Sequence, residues 1–113
     1  MAILNVHYAV GLILLVTALA AIFNATARKA VVYVLLLQIV LGATTWWTTK
    51  LVPPPAHWIL AILVGGVWPM ANAFEKRGRP KGVVMAICAL AVLIVAFVIY
   101  LGMHALRAQT PLT

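Results

Sequence analysis

Acid is almost missing from this chain: Glu75 is the single acidic residue among 113. Charge of either sign is sparse, at 8% of residues against about a quarter in a soluble domain, while 66% are hydrophobic. These proportions exclude a water-soluble fold and leave no length for a separate soluble catalytic domain. Cysteine is as scarce. Cys88 stands alone, which excludes an intrachain disulfide, a CxxC redox pair and an iron–sulfur cluster. Lying inside an apolar run, it reads as a small packing residue. The lack of acid also bears on transport, because a small multidrug exchanger needs a membrane-embedded carboxylate to couple protons to cationic substrates. Glu75 adjoins Lys76 and Arg77 and reads instead as a salt-bridge partner in a loop.

What is present is four apolar runs, at about 3–24, 30–48, 56–74 and 83–104. Each is long enough to cross a hydrocarbon core of about 30 Å. The expected fold is therefore an all-α membrane protein, a single domain over 1–113 with four transmembrane helices. The connections NATARK, TKLVPPP and EKRGRPKG are short, so consecutive helices should be antiparallel neighbours in an up-down bundle. Arg28 and Lys29 fall in the first connection and Lys76, Arg77, Arg79 and Lys81 in the third, against Lys50 and Arg107 on the other side. By the positive-inside bias the first and third connections face the cytoplasm, and both termini face outward. The net charge of +7 then reflects topology, and no nucleic-acid partner is expected. The expected location is the plasma membrane of a bacterium or archaeon. The N-terminus has no basic n-region, so the first span is expected to be retained. Ala86, Ala89, Ala91 and Ala96 would suit helix packing, and the closing AQTPLT should fray.

The outer connection carries PPPAHW, in which Pro53–Pro55 end the second helix and Pro55 presets the start of the third. That places His57 at the mouth of the third span. His7 lies near the outer end of the first span and His104 at the outer end of the fourth. At ~1.5 Å per residue, the three stand roughly 10 Å (His7), 12 Å (His57) and 16 Å (His104) from the middles of their spans. His7 and His57 match best. Two neutral imidazoles at one depth on different helices can ligate a haem iron from both faces, with the propionates at the wet outer end. Tetrahedral zinc is a poorer match, since no carboxylate and no cysteine lies near that end. On the second span Gln38 and Gly42 are four apart and share a face. Gly42, and Gly11 one turn from His7, would let a flat ring or a backbone approach closely. Gln38 can donate to a ligand or to a neighbouring helix. Each of these residues also has a plainer reading, as an interfacial histidine or a helix-packing position.

The run LLLQIVLGATTWW, followed across a proline-containing connection by PAHWILAILVGG, resembles haem A synthase. That family shows Q-x-x-L-G on one helix and A-H at the start of the next. The resemblance spans about residues 5–75, part of one half of the full enzyme. It implies a four-helix half with His7 and His57 paired around haem b, and it aligns Gln38, Leu41 and Gly42 with the intervening motif. There are departures. Tyr8 stands where the family usually has arginine after the first histidine, and the outer acid and cysteine pair are missing. These departures count against oxidation of a haem methyl group, so no catalytic residue is expected. The implied protein is a small b-type haem-binding subunit of a larger respiratory or photosynthetic membrane complex, passing electrons to or from a quinol or cytochrome partner, with Lys50 or Arg107 near the propionates. A cofactor-free accessory subunit is the alternative.

Overall fold

The computed structural model describes residues 2–109. Five helices follow in order: α1 (Ala2–Ala21), α2 (Ala25–Thr49), α3 (Pro55–Val64), α4 (Val67–Lys76) and α5 (Lys81–Gln109). No strand occurs among the described residues. The segments Ala2–Ala21, Ala25–Thr49, Pro55–Lys76 and Lys81–Gln109 are each long and apolar enough to cross a membrane. They form an elongated body measuring 53 × 19 × 19 Å.

Local chemistry sets the boundaries. The Asn24 side chain accepts hydrogen bonds from the backbone N–H groups of Thr26 (2.8 Å) and Ala27 (3.1 Å). This cap satisfies donors that the first turn of α2 leaves open. The second helix therefore starts at Ala25, five residues before the expected boundary, and Arg28 is helical. Near the other end of α2 the hydroxyls of Thr44, Thr45, Thr48 and Thr49 donate to carbonyls one turn back, so the helix satisfies its own polar groups, as lipid requires. Lys50 closes it in a left-handed conformation (φ 61°), its N–H reaching Trp46 O. Pro55 then opens α3.

The third crossing is two helices, where the sequence reads as one continuous span. Gly65 and Gly66 interrupt it. Pro69 has no N–H for the Gly65 carbonyl one turn back, and its ring crowds that carbonyl. Gly65 also receives Leu35: a Cβ there would lie 3.0 Å from Leu35 Cδ2. At the chain's end the expected fraying fails for Ala108 and Gln109, which are helical. Gln109 Nε2 donates to Val52 O (2.6 Å) and Gln109 Oε1 accepts from the Val52 N–H (2.8 Å). Residues 110–113 of AQTPLT lie outside the described residues.

The interior is a seam of small and medium side chains. Leu14, Ala18 and Ala21 recur at helical spacing along α1 and share one core with Val84, Cys88, Ala91 and Val95 of α5. Trp68 is its largest fully buried member. Small residues let helices approach closely, which supplies packing where lipid removes the usual hydrophobic gain. Of the four alanines expected to pack on α5, Ala91 does; Ala86, Ala89 and Ala96 are exposed. Large apolar side chains such as Leu12, Val16, Leu36, Leu93 and Phe97 point outward, as they do on a bilayer-facing surface.

Arg28 departs most from its expected place. It is 3% exposed, and its Nε donates to Ala21 O (2.9 Å). Its Nη1 donates to Asn72 Oδ1 (2.9 Å) and Glu75 Oε2 (3.0 Å). Glu75 thus pairs across 47 positions to α2, where adjacency had pointed to Lys76 and Arg77. A guanidinium carries five donors in a fixed fork and so can tie two helices at once. Here it joins the end of α1 and the start of α2 to α4.

Candidate functional site: two histidines over an apolar cavity

His7 sits two turns into α1 and His57 in the first turn of α3. Their ring centres are 6.4 Å apart with planes at 78°. Each ring rests in a notch made by a glycine on another helix. A Cβ on Gly42 of α2 would lie 3.1 Å from His7 Cε1, and one on Gly102 of α5 would lie 2.8 Å from His57 Cε1. The flat ring for which Gly42 makes room is the imidazole itself. Gly11 makes room for Gln38, whose Nε2 would stand 3.0 Å from an added Cβ. Gln38 Nε2 donates to the His7 backbone carbonyl at 2.7 Å, so its interhelical role is fixed by the backbone of His7.

The two imidazoles are held differently. His57 Nδ1 lies 2.7 Å from Val98 O. A carbonyl only accepts, so Nδ1 carries the proton and Nε2 keeps its lone pair. A donor hydrogen bond from the far ring nitrogen is the usual brace of a metal-ligating histidine and raises its basicity. His7 Nδ1 is buried without a partner, as is Gln38 Oε1.

His7, His57, Gly11, Gln38 and Gly42 all line one cavity of about 330 Å³, with Trp46 and Trp58 among its walls. Its volume falls at the low end of the range of small-molecule and cofactor sites. His104 lies outside it, exposed and stacked on Tyr100 at 5.9 Å. Neither Lys50 nor Arg107 lines it, and the Lys50 ammonium sits 5.0 Å over the Trp47 ring. Among the described residues no cluster of three or more His, Cys, Asp or Glu is placed to hold a metal, and of these residue types the cavity is lined by His7 and His57 alone. Two imidazoles bound to one metal through facing nitrogens, at about 2 Å each, place their ring centres roughly 6 Å apart. The observed centroid separation is of that size, with the two rings edge to face.

Gly102 is not legible in the sequence, because uniformly apolar helices do not show which face turns inward. The available signal was a glycine deep inside a 29-residue apolar helix, far from the other glycine, Gly82, in its first turn. Adding a methyl there should be costly. Gly102→Ala is expected to displace the His57 ring and lower stability by about 1–3 kcal/mol through overpacking. Thermal unfolding in micelles measures this, with Gly82→Ala, whose added Cβ meets nothing within 4 Å, as the control. Compared with family models, curated proteins and solved structures, the chain matches none.

Proposed function

We propose that the chain is a small b-type haem-binding membrane subunit, working in electron transfer or haem handling within a larger complex of a bacterial or archaeal plasma membrane. Its four crossings run up-down-up-down, with the Arg28 end in the cytoplasm by the positive-inside bias and the two histidines toward the outer leaflet. His7 and His57 are the axial ligands. Gln38, Gly11 and Gly42 hold His7 in place. One observation carries this reading: two imidazoles from different helices converge to 6.4 Å in an apolar cavity.

When bound between two imidazoles, haem iron supplies reversible one-electron transfer. The chain's own contribution is orientation and exclusion of water. The Val98 carbonyl fixes the His57 tautomer, Gln38 ties α2 to α1 beside His7, and the apolar walls keep the local dielectric low. A quinol or a cytochrome would exchange the electrons. The resemblance to half of haem A synthase supports haem handling, whereas Tyr8 and the missing outer acid and cysteines argue against haem methyl oxidation. The Arg28–Glu75 ion pair removes the free acid that a multidrug exchanger needs.

A second reading has its own support. The two rings fill the glycine notches and meet edge to face, as they would in a cofactor-free accessory subunit whose histidines only pack. The deciding experiment is a reduced-minus-oxidised spectrum of the purified protein, or of its native complex, with pyridine haemochrome quantitation. Sharp low-spin b-type bands at about one haem per chain are expected. A colourless chain, with no haem assignable to it in the complex, leaves the accessory subunit.

A further inference from the structure

At the opposite end from the histidines, a second cavity of about 390 Å³ lies between α2 and α4. Its walls are two helical stripes. Lys29, Val32 and Tyr33 come from α2, and Pro69, Asn72, Ala73 and Lys76 from α4, at the spacings that put them on one face. Arg28 forms its floor, 3% exposed.

Polarity is graded along this groove. Lys29 and Lys76 stand at the end where α2 begins and α4 finishes, and Val32 and Pro69 lie about a turn or two further in. Among the described residues neither lysine has an ion pair, because Glu75, the sole acid, is spent on Arg28. The Asn72 carbonyl oxygen accepts from Arg28, which leaves the amide hydrogens of Asn72 as donors. Tyr33 adds a hydroxyl from the exposed rim. Two free ammonium groups, an amide donor and a phenol therefore surround a space with an apolar inner end.

We infer that this groove is a binding site for the phosphate headgroup of an anionic phospholipid, held between Lys29 and Lys76 with its acyl chain along Val32 and Pro69. The ligand must be negative, since this end carries Arg28, Lys29, Lys76, Arg77, Arg79 and Lys81 against one carboxylate. It must also be amphiphilic, since the cations stop where the apolar wall begins. A free phosphate matches only the first half of the groove. Basic pockets between membrane helices on the cytoplasmic side are suited to such headgroups. The site is independent of the haem reading and lies outside the histidine cavity.

The test is native mass spectrometry of the intact protein in detergent, titrated with phosphatidylglycerol and, separately, with phosphatidylethanolamine. One phosphatidylglycerol per chain is expected to survive delipidation, with clear preference over the zwitterionic lipid. At about 1 kcal/mol per cation, the double variant Lys29→Gln, Lys76→Gln should weaken it about 30-fold. The double variant Arg79→Gln, Lys81→Gln removes the same charge from the same end and should leave it nearly unchanged. Ala73→Leu, which blocks the groove without touching charge, should also expel the lipid. Equal losses from the two charge variants would mean a diffuse field with no site, and equal binding of phosphatidylethanolamine would remove the need for an anion. Displacement by inorganic phosphate alone would make the ligand a free anion. Each of these outcomes overturns the assignment.

Discussion

His57→Ala is expected to empty the chain of haem, and His7→Ala to leave a bound but high-spin haem. The sequence treats the two histidines alike, but their surroundings separate them. His57 is braced by the Val98 carbonyl at 2.7 Å, and loss of such an outer partner typically costs 10- to 100-fold in metal affinity. His7 lacks the equivalent bond, since its Nδ1 is unpartnered and Gln38 donates to its backbone carbonyl. On the proposed haem reading, His57 would therefore be the stronger ligand and His7 the weaker. Removing the weaker one should open a coordination position, detectable as loss of the sharp low-spin bands and gain of carbon monoxide binding. His104→Ala should leave the spectrum as it is, because that ring stacks on Tyr100 outside the cavity. Abolition of haem by His104→Ala, with the spectrum of His7→Ala unchanged, would sink the pairing. Greater haem loss from His7→Ala than from His57→Ala would reverse the ranking alone.

The second large effect should come from Glu75. Glu75→Ala leaves the Arg28 guanidinium buried with its counter-charge removed, and breaking a buried pair on one side costs about 3–5 kcal/mol. Glu75 is 49% exposed, and Asn72 Oδ1 and Ala21 O still accept from Arg28. The expected loss is therefore at the lower end, about 3 kcal/mol. Arg28→Met combined with Glu75→Gln should recover most of it, because replacing both charges leaves no buried charge unpaired. Thermal unfolding of the three proteins in one detergent decides the point. If Glu75→Ala unfolds no earlier than Lys76→Ala, the pair contributes nothing to stability.

Composition and length make the four crossings legible, since a stretch of about twenty apolar residues has few folds open to it in lipid. The meeting of His7 and His57 is half legible. Helix rise matches their depths, but no periodicity in such uniformly apolar helices tells which faces turn inward. Gly102 and Val98, which hold His57, stay hidden for that reason. The break at Gly65–Gly66 is written in the sequence as two glycines and a proline, yet a hydropathy reading passes over it because apolarity continues through. Arg28 misleads for a different reason. A cation at the edge of an apolar run looks like a loop charge, and only the position of α4 shows that Asn72 and Glu75 are waiting for it.

The discontinuity at Gly65–Gly66 makes the third crossing two levers on one pivot. The α4 lever is anchored through Asn72 and Glu75 to Arg28, whereas the α3 lever carries His57 and packs on α5, with the His57 ring against Gly102 and bonded to Val98 O. A rigid 22-residue rod would transmit any displacement of His57 to the charged end. With the two glycines between them, the half that carries His57 and the half that meets Arg28 are separate helices, each with its own attachment. The glycine pair thus divides the segment into a half that seats a histidine and a half that seats an ion pair.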